Sequence, residues 1–421
     1  MGKHDFGRSW MKSCRDIAIV GAGIAGSIAA LELADRGNRI VLYDAGAEPL
    51  TAASLVNEGK IHLGFVYGGD SSGLTARRMI DGALQFRSIV CRWMAQDLFA
   101  SSVTQPFDYA VPEGSQLSAG AAEQHFVLVQ DILRERLAAP NADYLGEVDL
   151  PAFQRLPSHS YGSEAGKIEA AFGTPERSVD TRAIAASLRA AVLSHPRIEF
   201  QSNHRVTRFE TSRSGWRVVG EHRADGPFDR VLNAAWEQRR FLDHASGFAD
   251  NAPWFLRYKM AVLLPDVVED LANVTLMLGR YGDVVRYESG RVYLSWYPSM
   301  MLASTRDLLL PHPEIASSRK AEIVRSSVAA LAAYYPKLAE FLWLPEMDEA
   351  PLIGGVIDAR GASDIDDRVS DLHKRSRIGP SLLADGYCSL DPGKYTTAPM
   401  FALEAADALA SSSRVHQVIA S

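Results

Sequence analysis

The chain has 421 residues, of which 47% are hydrophobic and 23% are charged, and its formal net charge is −7. This length predicts two or three domains with ample material for a buried core. The counts of 32 Gly and 20 Pro are ordinary, which excludes collagen-like and disordered chains. A mildly acidic chain without a block of Lys and Arg also lacks the electrostatic footprint of a nucleic-acid-binding protein. The composition therefore indicates a multi-domain globular protein, and an enzyme is the simplest interpretation.

The cysteines and the N-terminus bear on the compartment. Cys14, Cys91 and Cys388 are far apart and form no CxxC pair or Cys/His cluster, so we predict neither a disulfide framework nor a metal site. The apolar stretch 17–31 is interrupted by three glycines and is too short to span a bilayer. We expect residues 1–15 to be a tail, and the protein to be cytoplasmic with no membrane span.

Short apolar runs alternate with amphipathic stretches along the chain. The predicted strands cover residues 17–20, 39–43, 216–219, 230–233, 258–264 and 291–296, and the predicted helices cover 26–35, 181–194, 316–334 and 398–411. Strand, helix and strand in this order at the start predict an α/β fold with a doubly wound parallel sheet. The stretch from 254 to 297 instead predicts antiparallel hairpins, with a turn at 288–291.

The strongest motif lies at the first of these turns. An apolar strand runs into a GxGxxG sequence that opens a helix. Gly21 permits the tight turn, Gly23 lets the backbone approach a pyrophosphate, and Gly26 lets helix and strand pack closely. The second strand ends in Asp44, 23 positions after Gly21, where an acid can accept hydrogen bonds from ribose hydroxyls. The motif predicts dinucleotide binding, and Asp44 argues against the 2′-phosphate of NADP.

Two further segments carry glycines and polar residues in unusual density. The first follows the second strand and reads Asn57-x-Gly59-x-Ile61-His62-x-Gly64. The second, residues 386–399, reads GYCSLDPGKYTTAP and leads into the last helix. Its Thr residues and the proline in the first helical turn are typical of a capped helix start. The helix dipole and Lys394 would together face negative charge on a ligand.

With these segments, the mid-chain strand that contains Val206 and the strand end Asn233-Ala234-Ala235, the chain resembles the glutathione-reductase-type FAD proteins of the D-amino-acid oxidase superfamily. That group includes glycine oxidase, sarcosine oxidase and L-2-hydroxyglutarate oxidase. Ala235 departs from the pattern, since the superfamily commonly has glycine there. The resemblance implies FAD as cofactor, and it implies contacts to FAD from Gly21, Ala22, Gly23, Ile24, Ala25, Gly26, Asp44, Ala45, Ser54, Asn57, Gly59, Lys60, Ile61, Val206, Asn233, Ala234, Ala235, Gly393, Lys394, Tyr395 and Thr396.

The resemblance also implies a Rossmann-like FAD-binding domain with an inserted substrate domain built on a mixed or antiparallel sheet. We expect the FAD-binding domain to be discontinuous, over 16–100, 165–250 and 350–412. The substrate domain would then cover 101–164 and 251–349. Cys388 is expected to be a buried thiol, and the charged runs 365–368 and 373–375 are expected to be solvated.

Electron flow follows from what accompanies the FAD motifs. The chain has no second GxGxxG, and it lacks the Gly-Asp-Ala motif of flavin monooxygenases before its last helix. We therefore expect the substrate itself to be the reductant. The predicted reaction oxidises a C–H bond next to an amine or hydroxyl of a small polar, carboxylate-bearing substrate by hydride transfer to flavin N5, followed by reoxidation by oxygen or another acceptor. An NAD(P)H-fed flavin monooxygenase and a non-catalytic FAD-binding module remain alternatives.

Four residues are the candidates for catalysis. His62 lies in a segment expected to follow the flavin, where it could orient the substrate or take a proton, or could be structural. Tyr297 ends a strand whose alternation places hydroxyl groups on one face. Arg286 could bind a substrate carboxylate, and Lys259 could assist oxygen reduction as a positive charge. The sequence does not indicate the oligomeric state.

Overall fold

The computed structural model describes residues 16–157, 161, 167–368 and 370–411. The expected tail over 1–15, together with Cys14, lies outside the described residues. The strands are β1 (Asp16–Val20), β2 (Arg39–Tyr43), β3 (Lys60–Ile61), β4 (Phe107–Pro112), β5 (Gln154–Leu156), β6 (Ile168–Gly173), β7 (Arg177–Ser178), β8 (Ile198–Gln201), β9 (Val206–Ser212), β10 (Gly215–Gly220), β11 (Ala224–Phe228), β12 (Arg230–Asn233), β13 (Trp254–Pro265), β14 (Asn273–Leu276), β15 (Gly282–Tyr287), β16 (Arg291–Trp296), β17 (Met301–Thr305), β18 (Leu352–Arg360), β19 (Gly379–Ala384) and β20 (Tyr387–Asp391). The helices are α1 (Ile24–Asp35), α2 (Leu74–Val90), α3 (Phe99–Ser102), α4 (Ala119–Leu137), α5 (Thr181–Ser194), α6 (Arg239–Ala245), α7 (Tyr297–Met300), α8 (Ser317–Ala332) and α9 (Ala398–Ser411).

A six-stranded sheet is built from the two ends of the chain and from its middle. Its order is β19-β20-β12-β1-β2-β8, with every neighbouring pair parallel except β19 and β20. β1 is central and its side chains are buried after Asp16, as expected for a parallel strand covered on both faces. The predicted α/β fold with a parallel sheet is confirmed.

The first helix shows why this local sequence folds as predicted. α1 is made mainly of small and apolar residues, and it is buried from Ile24 to Ala34. It ends where Gly37 adopts φ 92° and its N–H binds the carbonyl of Ala34, because glycine tolerates the left-handed conformation that closes a helix. α1 and α9 pack into the same hydrophobic core.

A nine-stranded mixed sheet forms the second half of the fold, in the order β17-β13-β16-β15-β14-β4-β6-β5, with β18 also paired to β13. β18 runs antiparallel along β13 from Trp254–Arg360 to Val262–Leu352. The expected hairpin forms between β15 and β16, with Gly290 at φ 77°. β6 and β18 lie in ranges expected to bind FAD, so the boundaries predicted at 165 and 350 do not coincide with the edges of this sheet.

The two faces of the large sheet pack into different cores. In β13, Ala261 and Leu263 join the core that contains α1 and α9, whereas Met260 and Val262 join a second core under α8. Side chains alternate between faces along a strand, so Arg257 and Lys259 share the face of Ala261. The face directed towards the six-stranded sheet therefore carries two cations.

Two small sheets and the helices complete the described residues. β9, β10 and β11 form an antiparallel meander, and β3 pairs with β7. None of the helices described here is long and apolar enough to cross a lipid bilayer.

Candidate active site

The glycines of the first motif are required by close packing. Gly21 has φ 98°, and a Cβ there would lie 2.5 Å from the carbonyl oxygen of Ala234. A Cβ on Gly26 would lie 1.9 Å from the carbonyl oxygen of Gly21. Any larger residue would push α1 away from β1 and β12. At the N-cap of α1, Gly23 offers no capping side chain.

The acid and the serine predicted to bind the dinucleotide meet at the start of α1. One carboxylate oxygen of Asp44 accepts a hydrogen bond from the Ala22 N–H at 2.7 Å, and the other accepts one from the Gly46 N–H at 2.7 Å. The Ser54 hydroxyl accepts a hydrogen bond from the Ile24 N–H at 2.8 Å. The structure thus brings the glycine motif, the end of β2 and the segment after it to one helix N-terminus, a ready-made anion site. Ala45 is exposed beside them.

The other predicted FAD contacts in the middle of the chain lie at the end of β12 and at the start of β9. Asn233 is buried and its side-chain amide donates to the Arg239 carbonyl and to Asp243. Its side-chain oxygen accepts a hydrogen bond from the Ala235 N–H at 3.3 Å. Ala235 keeps a negative φ of −78°, and the left-handed position is taken by Trp236 at φ 48°. Val206 is buried at the start of β9.

The two glycine-rich segments that are distant in sequence are joined directly. The His62 N–H donates to Thr396 Oγ1 at 2.9 Å, and that hydroxyl donates to the Lys60 carbonyl at 3.1 Å. The segment before β3 is shaped by Asn57, whose side-chain oxygen accepts a hydrogen bond from the Gly59 N–H at 2.8 Å. Ile61 is fully buried in β3, and Tyr395 packs its ring 5.5 Å from that of Phe86.

Lys394 is the most unusual group in the C-terminal loop. The loop turns at Gly393, with φ 64°, and leaves the Lys394 side chain half-buried. Nζ forms no ion pair or hydrogen bond with any residue in the described ranges. Burial lowers the pKa of Lys394 to about 8; the Glu58 carboxylate opposes this shift, and nearby cations add to it. A half-buried ammonium without a partner indicates a place for an anionic ligand.

Lys60 has a different environment. Its Nζ lies 2.9 Å from Asp283 Oδ1, donates to the Thr275 hydroxyl and sits 4.2 Å from the centre of the Phe107 ring. Burial would raise the pKa of Asp283, but the charges of Lys60 and Lys259 hold it well below its usual range. The Lys60 side chain therefore anchors β3 to the large sheet, and its main chain contacts the C-terminal loop.

His62 is buried beside a carboxylate that sequence reasoning missed. Its Nδ1 lies 3.3 Å from Glu176. That separation lacks hydrogen-bond geometry, whereas Glu176 accepts hydrogen bonds from the Leu63 N–H at 2.6 Å and from the Tyr109 hydroxyl. Burial lowers the pKa of His62; Glu176 opposes the shift, and Lys394 and Lys60 increase it. Glu176 follows β6 without any motif around it, so the sequence carries no signal for this contact.

The large sheet contributes a cluster of cations. The Arg257 guanidinium is buried, with Nη1 donating to the Tyr297 hydroxyl at 2.5 Å and lying 3.6 Å from Asp364. Lys259 Nζ and the Arg280 guanidinium carbon lie 5.7 and 5.5 Å from the centre of the Tyr297 ring. Tyr297 and Lys259, both predicted from sequence, are thus brought together. Arg280 was not singled out by the sequence.

Arg286 is not brought to this face. Val285 and Tyr287 on either side pack into the core shared with α1, so Arg286 projects from the opposite face. Its Nε donates to Asp266 Oδ2 at 2.6 Å, and its side chain is 40% exposed.

The expectation that residues 373–375 are solvated is wrong for two of the three. His373 and Arg375 are buried, and only Lys374 is exposed. The Arg375 N–H donates to Thr75 Oγ1 at 2.8 Å, and its Nη1 donates to the Asp358 carbonyl at 3.2 Å. These long-range contacts pull the segment into the protein. Cys388 is fully buried, as expected.

A parallel sheet with a glycine-rich turn at a helix start shares a core with a mixed sheet that carries buried cations, an arrangement typical of a dinucleotide-dependent oxidoreductase. The family model of DAO, FAD dependent oxidoreductase, matches residues 16–370. The chain belongs to this family and is an FAD-dependent oxidoreductase.

Solved structures share this fold across nearly the whole chain. Glycine oxidase from Geobacillus kaustophilus has a TM-score of 0.67 at 13% identity and covers 95% of this chain and 96% of its own. Dithionite-reduced L-alpha-glycerophosphate oxidase from Mycoplasma pneumoniae with FAD bound has a TM-score of 0.63 at 16% sequence identity, and the match covers 94% of this chain and 95% of that chain. Iminodiacetate oxidase from Chelativorans sp. BNC1 has a TM-score of 0.61 at 15% sequence identity, and the match covers 94% of this chain and 96% of that chain. No curated protein sequence matches the chain.

The residues present fit FAD. Lys394 offers an unpaired ammonium at a helix start, and the N-terminus of α1, whose N-cap Gly23 has no side chain to cap it, offers N–H groups to a pyrophosphate. Other buried polar atoms, the Tyr67 hydroxyl, Ser295 Oγ and Arg257 Nε, also have no partner among the described residues. Such orphaned groups are costly unless a ligand or water pairs with them.

Proposed function

We propose that the protein oxidises a C–H bond next to an amine or hydroxyl group in a small carboxylate-bearing substrate. The observation that carries the proposal is the Arg257 guanidinium, buried on the face of the large sheet with Nε unpaired. A guanidinium presents a planar fork that matches a carboxylate, and such charge-assisted pairs are strong away from water. The Tyr297 hydroxyl accepts a hydrogen bond from Arg257 at 2.5 Å and donates one to Asp364 at 3.3 Å, which keeps the tyrosine beside the guanidinium.

The similar structures support this substrate class without defining it. Two of them are named for glycine and iminodiacetate, which are small acids with a nitrogen next to the carbon that bears the carboxylate. At 13% and 15% identity the likeness extends to the fold, so Arg257 supplies the argument for the carboxylate.

His62 is proposed to take the proton from the substrate's hydroxyl or ammonium group. Its pKa is lowered, so the ring is neutral near pH 7 and can act as a base. Glu176 lies 3.3 Å from Nδ1, so we assign Nε2 as the nitrogen that meets the substrate. Bound FAD supplies the hydride acceptor, and oxygen or another acceptor would reoxidise it. Lys259, on the same face as Arg257, adds positive charge to the site.

An anaerobic reduction screen tests the proposal. Purified yellow protein is mixed with a panel of amines, amino acids and 2-hydroxy acids, and loss of the visible flavin absorbance is followed. We expect at least one carboxylate-bearing compound to bleach the flavin. Bleaching by NADPH alone would support an NAD(P)H-fed monooxygenase, and a flavin that no compound reduces would support a non-catalytic module. Either result would overturn the proposal.

The role of Arg257 is tested with the substrate that the screen identifies. Arg257→Gln should raise the KM for the acid about 10–100-fold, because one charged hydrogen-bonding group is lost. The uncharged amide of the same substrate should show little difference between wild type and variant. Arg291→Gln is the matched control, since Arg291 pairs with Asp180 at 2.9 Å at the β16 turn. An unchanged KM for the acid in Arg257→Gln would contradict the assignment.

A further inference from the structure

Three cations surround a single aromatic ring in the proposed site. The guanidinium carbons of Arg257 and Arg280 and Nζ of Lys259 lie 5.8, 5.5 and 5.7 Å from the centre of the Tyr297 ring. A cation beside an aromatic ring gains only a modest attraction. One tyrosine therefore does not compensate for gathering three positive charges.

The acids near these cations pair with them loosely. Asp364 lies 3.6 Å from Arg257, Asp366 lies 3.7 Å from Arg280, and Asp283 lies 3.9 Å from Lys259. Each separation is longer than a hydrogen bond between charged groups, which is about 2.7–2.9 Å.

The same acids are also engaged elsewhere. Asp283 binds Lys60 at 2.9 Å, and Asp364 accepts a hydrogen bond from the Ile365 N–H at 2.7 Å. Arg280 Nε is buried without a partner among the described residues. The cations around Tyr297 therefore each have an acid within 4 Å but no close charged hydrogen bond to one, which leaves donor capacity for a ligand.

We infer that the substrate carries a second anionic group, and that Arg280 and Lys259 bind it beside Tyr297. The inference rests on the proposed function, since Arg257 is taken to hold the first carboxylate. The shared chemistry is a small dianion, with either a second carboxylate or a phosphate-type group at its distal end.

The burial of the cations gives the direction of binding. The Arg257 side chain is 4% exposed, whereas that of Arg280 is 37% exposed. Arg257 therefore lies at the inner end of the site and Arg280 at the rim, and both lie within 6 Å of the centre of the Tyr297 ring. The carboxylate held by Arg257 lies deep in the protein, and the second anion remains near solvent.

Binding of non-reacting acids to the holoenzyme tests the inference without turnover. Glutarate carries two carboxylates, and 3-phosphonopropionate carries a carboxylate and a phosphonate. Valerate carries a single carboxylate and serves as the monoanion. Their dissociation constants are measured from the change in the visible flavin spectrum. We expect at least one dianion to bind about tenfold or more tightly than valerate. Tighter phosphonopropionate assigns a phosphate-type group, and tighter glutarate assigns a dicarboxylate.

The variants separate this inference from the proposed function. Arg280→Gln should remove the preference for the dianion and leave valerate binding unchanged. Arg280→Lys should retain much of the preference, and Arg291→Gln should resemble wild type.

Equal binding of valerate and both dianions by the wild type would overturn the inference. The proposed function would still stand if Arg257→Gln weakened binding of all three acids. If no acid bound or reduced the flavin, both would fail. If Arg280→Gln does not fold, the wild-type comparison and Arg280→Lys decide.

Discussion

Replacing Glu176 perturbs the groups that hold His62 and β3. Its carboxylate is fully buried and accepts hydrogen bonds from the Leu63 N–H and the Tyr109 hydroxyl. Glu176→Ala leaves both donors unpaired in the interior, at about 1–3 kcal/mol each. It also opens a small cavity and removes the acid next to His62. We expect the free energy of unfolding to fall by about 3–5 kcal/mol, from the two unpaired donors together with the cavity.

Chemical denaturation of the holoprotein measures this loss, with protein fluorescence as the signal. Glu176→Gln keeps the shape and one acceptor oxygen, so it should lose less, about 1–2 kcal/mol. Glu147→Gln is the control, because the Glu147 side chain is 42% exposed in its pair with Arg177, and such pairs contribute under about 1 kcal/mol. A Glu176→Ala variant as stable as Glu147→Gln would refute the reasoning.

Three further predictions concern the cofactor loop, the glycine segment and pH. Lys394→Met should lower the flavin reduction potential by about 30 mV, a tenfold change in equilibrium constant. The difference in potential between wild type and variant should shrink above pH 8, because Lys394, with a pKa of about 8, loses its charge there. Equal potentials at pH 7 would contradict the place of Lys394 near the flavin. Gly59→Ala puts a Cβ 2.0 Å from a backbone carbonyl oxygen and should lower the free energy of unfolding, measured by denaturation, by more than about 3 kcal/mol. Gly37→Ala is the control and should lower it by about 1 kcal/mol, because its Cβ meets nothing within 4 Å. Similar losses in the two variants would exclude the collision at Gly59. The pKa of His62 is lowered from 6.5 in the folded protein. The unfolded chain therefore binds more protons than the folded one as pH falls below 6.5, and stability decreases there. His62→Gln should flatten the dependence of Tm on pH between 7 and 5, and an unchanged slope would count against a buried neutral ring at His62.

Local signals predicted the first half of the fold well. The strand, glycine turn, helix and second strand up to Asp44 depend on neighbours within about thirty residues, and periodicity and glycine spacing report such neighbours. From sequence, β6 and β18 are expected in the FAD-binding domain, whereas in the structure both strands belong to the nine-stranded sheet. Their partners, β4 and β13, lie about sixty to one hundred residues away, and no local pattern specifies such a pairing.

The candidate site divides in the same way. Lys394 and His62 stand in glycine-rich segments that a sequence can reveal, whereas Glu176 and Arg280 stand in ordinary surroundings and reach the site through tertiary contacts. Arg375 misleads because charged runs are normally exposed. Its burial depends on Thr75, three hundred residues earlier.

The central position of β1 has a consequence for how the protein is made. The Asp16 N–H binds the side chain of Asp229, 213 residues later, and at about 5–20 residues per second the ribosome needs about 10–40 s to supply that partner. Until then one edge of β1 is an unpaired strand and a target for chaperones or aggregation. The bond between His62 and Thr396 spans 334 residues, so the loop around Lys394 joins the site only after Thr396 has been synthesised. Tight uptake of FAD would then mark a chain that has been synthesised through this loop, and increasing the supply of riboflavin during expression should rescue slow-folding variants more than variants truncated before the loop.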